Sequence, residues 1–74
     1  MTLKEIRKTK KLSTEAVGRQ LGVSHVTVLN WESGKSEPGA SAVMALAGVY
    51  GVSAETIIKA IPKKRMEGKG NAGI

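Results

Sequence analysis

The chain has 74 residues, a net charge of +6 and no cysteine, with a pI near 10.0. That is one small domain of a size that buries only about 60% of its unfolded surface, with no disulfide and no Cys/His set for a structural metal. The opening MTLKEIRKTK is charged and lacks the apolar region of a secretion signal, and the longest apolar run, residues 42–52, is far short of a span of roughly 20 residues, so a soluble chain in a reducing cytoplasm is expected.

Thr2-Leu3-Lys4-Glu5 reads as a capping box that starts a helix over residues 3–10, with Leu3 and Ile6 inward. Residues 4–11 hold Lys4, Arg7, Lys8, Lys10 and Lys11 against Glu5, a net +4 that suits a polyanionic partner or a plain solvated surface. Ser13 caps a second helix, residues 14–21, on which Ala16, Val17 and Leu21 are apolar. Gly18 inside it costs up to about 1 kcal/mol relative to Ala, which close approach by another helix would offset. Gly22 stops this helix, Ser24 caps a third over residues 25–32, and Gly34 ends that one. Glu37-Pro38-Gly39 is a turn signal. A fourth helix spans residues 40–50 and stops at Gly51, and a fifth, capped by Ser53, spans 54–61 and ends at Pro62. From Pro62 the segment holds Lys63, Lys64, Arg65 and Lys69 against Glu67, a net +3, with much Gly and no apolar period. It reads as a basic, disordered tail, residues 62–74, after a domain of residues 1–61. No strand alternation and no repeat occurs, so the fold class expected is all-α, a compact bundle of five short helices.

Residues 14–32 form a helix, a Gly-centred tight turn and a second helix, which serves either as a simple packing unit or as a DNA-binding unit. The faces of the third helix bear on the choice. At about 100° per residue, Thr27, Val28 and Trp31 share one side, with Val23 packing just before it, while His25, Val26, Leu29 and Asn30 share the other. The first group suffices as a core face. The second is left exposed although two of its four members are apolar, which leaves a partner protein, a loosely wrapped core or DNA. In a major groove apolar side chains meet the thymine methyl and Asn bonds adenine bidentately, so Val26 and Leu29 beside His25 and Asn30 suit base edges, and the Ser24 and Thr27 hydroxyls can reach phosphate or base. His25 has no positioned partner or nucleophile that would make it a general base.

At this point the run LSTEAVGRQLGVSHVTVLNWESGKSEP, followed by LAGVYGVSAETII, resembles the Cro/repressor-type helix–turn–helix regulators of bacteria and lambdoid phages, over about residues 3–61. The resemblance implies a lambda-repressor-like domain and assigns roles by position. Arg7 and Glu32 match a structural ion pair tying the first helix to the third. Thr14 occupies the position of a phosphate-bonding Gln and is shorter than it. Ser24, His25, Val26, Thr27 and Asn30 match recognition positions, whereas Leu29 departs from the small or polar residue common there. Ser33, Gly34, Lys35 and Ser36 match a loop whose backbone N–H groups and side chains hold phosphate.

The fourth helix has no charge on any face, whereas a surface helix shows a polar side. With Val43, Leu46, Ala47 and Tyr50 toward the core, Ala45, Gly48 and Val49 are left for solvent or a second copy, and Ile58 on the fifth helix is the other candidate for an isologous dimer interface. The function expected is a Cro-like repressor reading a palindromic duplex operator as a homodimer, without a second domain for inducer sensing. No cofactor, metal, small-molecule ligand, membrane or catalytic centre is expected. An antitoxin-type autoregulator, or a protein-interaction module on the same scaffold, is the alternative.

Overall fold

The Thr2 hydroxyl accepts the Glu5 N–H at 3.1 Å and the Glu5 carboxylate accepts the Thr2 N–H at 2.8 Å, closing the capping box in the computed structural model, which describes residues 1–62. Helix α1 (Leu3–Thr9) follows from it, then α2 (Thr14–Leu21), α3 (His25–Ser33), α4 (Ala40–Tyr50) and α5 (Ala54–Ala60). Ser13, Ser24 and Ser53 each accept a backbone N–H three residues on, so α2, α3 and α5 start where a hydroxyl satisfies an orphan donor. The domain is all-α, with no strand among the described residues. The basic tail expected from Lys63 onward lies outside the described residues.

Four of the five helices end alike. After α1 the Lys11 N–H bonds the Lys8 carbonyl at 3.0 Å and the Leu12 N–H bonds that of Arg7 at 3.3 Å, a Schellman motif. The same bond to the carbonyl five residues back recurs from Val23 to Gly18, Lys35 to Asn30 and Val52 to Ala47. Gly22, Gly34 and Gly51 take the left-handed conformation these ends require, but after α1 the position falls to Lys11, at φ 58°. No glycine marks that turn in the sequence; Leu12, the residue after it, packs against the core instead.

One core gathers Leu3 and Ile6 of α1, Val17 of α2, Val28 and Trp31 of α3, Val43, Leu46 and Tyr50 of α4, and Ile57 and Ala60 of α5. Helix α2 packs on α3 and α4, α4 on α5, and α1 on α3. Gly18 is where α2 meets the start of the next helix: a Cβ there would stand 2.6 Å from the Val23 carbonyl oxygen and 3.3 Å from the His25 nitrogen. The bare glycine therefore sets how closely α3 seats on α2. No single described helix is long and apolar enough to cross a membrane; α4 and α5 are apolar together but meet at a 109° bend.

Candidate nucleic-acid interface

Helix α3 carries apolar side chains on opposite sides. Val28 is 1% and Trp31 7% exposed, whereas Val26 is 50% and Leu29 45% exposed. His25 is exposed as well, Asn30 is half-buried, and Thr27 is half-buried at the edge of the core face. Burial of one apolar pair and exposure of the other explains why a helix this short holds four large apolar residues. Ser24 and Thr27 sit at its N-terminus with their hydroxyls 3.3 Å apart, and the Ser24 oxygen also accepts the Thr27 N–H at 3.3 Å. Each hydroxyl keeps an unused lone pair. The side-chain amide of half-buried Asn30 makes no hydrogen bond among the described residues.

The helix is held in place from behind. Arg7 Nε donates to Glu32 Oε2 at 2.6 Å and Nη2 donates to Oε1 at 3.2 Å, a bidentate pair between α1 and α3. Arg7 Nη1 also donates to the Leu12 carbonyl at 2.9 Å, which ties the α1–α2 turn into the same unit. Both side chains are nearly shut off from water, with 10% and 6% exposure. The hydrogen bond that Arg7 donates to the Glu32 carboxylate holds its guanidinium above the ordinary range, which leaves it charged at any pH the fold survives. Beneath this pair lies Tyr50, whose buried hydroxyl has no hydrogen-bond partner among the described residues and is pushed up to about 12 by desolvation, with the Glu32 charge adding to the effect.

The loop after α3 departs from what the resemblance implied. The N–H groups of Gly34, Lys35 and Ser36 all point at one acceptor, the Asn30 backbone carbonyl, the last two at 3.0 and 3.3 Å. The Ser33 hydroxyl donates to the same oxygen at 3.2 Å. These amides close the C-terminus of α3 and are not turned out toward an anion, because a Schellman end draws them inward. What the loop presents to solvent is the side chain of Lys35, with the half-buried Ser36 beside it. Thr14, half-buried in the first turn of α2, has its hydroxyl 3.4 Å from Glu15 Oε1.

Ala45 and Ile58, two of the residues considered for self-association, border different grooves. Ala45 borders a groove with Leu21, Val23, Trp31, Ser41 and Ala42, whereas Ile58 borders another with Glu37, Ile61 and Pro62. Gly48 is exposed, but Val49 is half-buried and packs against the core, because α4 is apolar on every side and its phase is set only by its neighbours. Met44, 66% exposed on the same helix, is the large apolar side chain that the sequence reading passed over. Among the described residues no His/Cys/Asp/Glu group is arranged to hold a metal.

Residues 3–57 match the helix-turn-helix family of the Cro/C1 type, three quarters of the chain and all of the core-forming segments through α4. No curated protein matches, and no solved structure does.

Proposed function

Given a chain that belongs to the Cro/C1-type helix-turn-helix family, whose members are DNA-binding regulators, we propose that it reads duplex DNA sequence with the exposed side of α3 and acts as a small Cro-like repressor. The observation that carries this is the second apolar pair of α3, half exposed beside an unpaired Asn30 amide and His25. Water is a poor environment for Val26 and Leu29, but the thymine C5-methyl is a good one, and adenine offers Asn30 the N6/N7 edge that its amide matches.

In this reading Lys35 and the hydroxyls of Thr14, Ser33 and Ser36 meet phosphates and set the register, which carries no sequence information. The Ser24 and Thr27 hydroxyls stand at the helix start, where they could accept from a base amino group or donate an O–H to a phosphate oxygen. Arg7 and Glu32 act only by fixing α3 to the body. A two-fold dimer would place two such helices about 34–36 Å apart, matching the half-sites of a palindromic operator. Ala45, Gly48 and Val49 on α4, or Ile58 on α5, would form its contact, with Ile58 (57% exposed) the larger free apolar surface. No cofactor is required, and transcription would be blocked by occupancy of the operator in the cytoplasm of a bacterial cell. The same exposed Val26 and Leu29 favour one rival, a module that binds a protein, such as the toxin partner of an antitoxin.

Selection of duplexes from a random pool separates the two. Sequence reading predicts an enriched, palindromic, thymine-containing site. A pool that stays random, with binding that only tracks salt, contradicts it and leaves the protein-binding module standing.

A further inference from the structure

The proposed reading side of α3 is short of positive charge. Residues 12–62 hold Arg19, Lys35 and Lys59 against Glu15, Glu32, Glu37 and Glu55, a net −1. Helix α3 itself has no Lys or Arg. Phosphate neutralisation nonetheless supplies much of the affinity of a duplex-binding protein. The cations of the described residues are concentrated in α1 and the turn after it, where Lys4, Arg7, Lys8, Lys10 and Lys11 stand against Glu5 alone.

That cluster has no internal partners beyond Arg7. Lys4, Lys8, Lys10 and Lys11 are all exposed, and among the described residues the ion pairs are Arg7–Glu32 and Lys59–Glu55. Glu5, three residues before Lys8, is drawn instead to the helix start by the Thr2 N–H. Lys4 and Lys8, four residues apart on α1, therefore repel each other, an arrangement that is unfavourable in the free protein and that a polyanion relieves. The helix dipole favours Lys8 in the last turn but not Lys4 in the first.

The cluster also lies beside the reading side of α3. At about 100° per residue the order around α1 is Ile6, Leu3, Arg7, Lys4 and Lys8, so the lysines follow Arg7 away from the core. Arg7 reaches Glu32, and around α3 Glu32 falls between buried Val28 and the exposed His25 and Leu29. The same guanidinium holds the Leu12 carbonyl at 2.9 Å, which draws the turn carrying Lys10 and Lys11 to that edge. Lys11 is fixed in the turn at φ 58° by its own bond to the Lys8 carbonyl and that of Leu12 to Arg7.

We propose that Lys8, Lys10 and Lys11 form a phosphate-contacting edge along the His25 and Leu29 side of α3, so that α1 supplies affinity to a helix that carries no Lys or Arg of its own. This rests on the DNA-reading function proposed above. Glu15, just past the turn and near enough to Arg7 to act on its charge, offsets one of the three cations, which leaves two for phosphate.

The test uses the full chain carrying Lys8→Gln, Lys10→Gln and Lys11→Gln together, titrated with the selected duplex and an unrelated one over roughly 50–200 mM salt. The slope of log K against log salt is expected to fall by about 1.8, at about 0.9 per phosphate. Both duplexes should weaken by the same factor, roughly tenfold or more, with the preference between them unchanged. Lys8→Gln alone, which leaves the turn as it is, should lower the slope by about 0.9. Lys59→Gln, which removes an exposed cation 3.3 Å from Glu55 on α5, should not change it. A triple variant that keeps the wild-type slope, or that weakens the selected duplex alone, overturns the inference while leaving sequence reading intact. Failure of the wild-type chain to select any duplex overturns both.

Discussion

Replacing Arg7 by Met removes one half of a nearly dry ion pair and leaves the other half in place. The Glu32 side chain is 6% exposed, so its carboxylate would lose two charge-assisted hydrogen bonds without gaining water. The Leu12 carbonyl would lose its 2.9 Å donor as well. Breaking a buried pair in this way costs about 3–5 kcal/mol, and a domain of this size has only about 3–9 kcal/mol in total. Arg7→Met should therefore lower the melting temperature by roughly 12–40 °C, at about 4–8 °C per kcal/mol. Arg7→Met with Glu32→Leu removes the stranded charge, so the double variant should be at least about 2 kcal/mol more stable than the sum of the single losses. Urea unfolding, followed by Trp31 fluorescence and far-UV circular dichroism, measures all three. A single-variant cost below about 1 kcal/mol, the range of an exposed pair, or strict additivity, refutes the view that the pair holds α3 from a water-free site.

Gly48, which has nothing within 4 Å of a Cβ, should gain up to about 1 kcal/mol on replacement by Ala, whereas Gly34→Ala should lose more than that, because φ is +87° and Pro62 stands 3.2 Å away; thermal melts give both signs. Tyr50→Phe removes a buried hydroxyl that has no partner among the described residues, so stability near neutral pH should be unchanged or higher. At alkaline pH the difference grows: the Tyr50 hydroxyl is held up at about 12 in the fold and titrates near 10 when unfolded. Wild-type stability is thus fully present below about pH 10 and is lost progressively toward 12, by up to about 2–3 kcal/mol more than in Tyr50→Phe. Parallel melts at several alkaline pH values check the sign. Lys35→Ala should weaken all duplexes alike and lower the salt slope by about 0.9, which filter-binding or anisotropy titrations measure.

Four of the five helix starts were legible because each is written within four consecutive residues, a Thr or Ser whose oxygen reaches the N–H three positions on, as at Thr2, Ser13, Ser24 and Ser53. Helix α4 instead starts at Gly39 with no side-chain cap. The two-sided α3 was legible too, since Val28 and Trp31 share a phase that Val26 and Leu29 do not. Illegibility began where phase was absent or contacts were distant. Helix α4 is apolar all round, so periodicity could not show that Val49 leans on the core while Met44 stands out. Lys11 carries no left-handed signature, because a Schellman turn imposes the conformation without a glycine. The bonding of the loop amides was not legible, because position in a familiar pattern does not reveal that the Asn30 carbonyl holds them. The contact of Pro62 with Gly34 joins positions 28 residues apart and leaves no local trace in the sequence.

The central claim, that the exposed side of α3 reads base edges, is tested most directly with a selected duplex in which single thymines are replaced by uracil, which deletes only the C5-methyl. Wild-type protein should lose about 1 kcal/mol of binding, roughly fivefold, at the thymine Val26 touches, and Val26→Ala should bind the two duplexes equally. If Val26→Ala weakens every duplex to the same extent and remains as sensitive to the missing methyl as the wild type, α3 does not read bases through Val26.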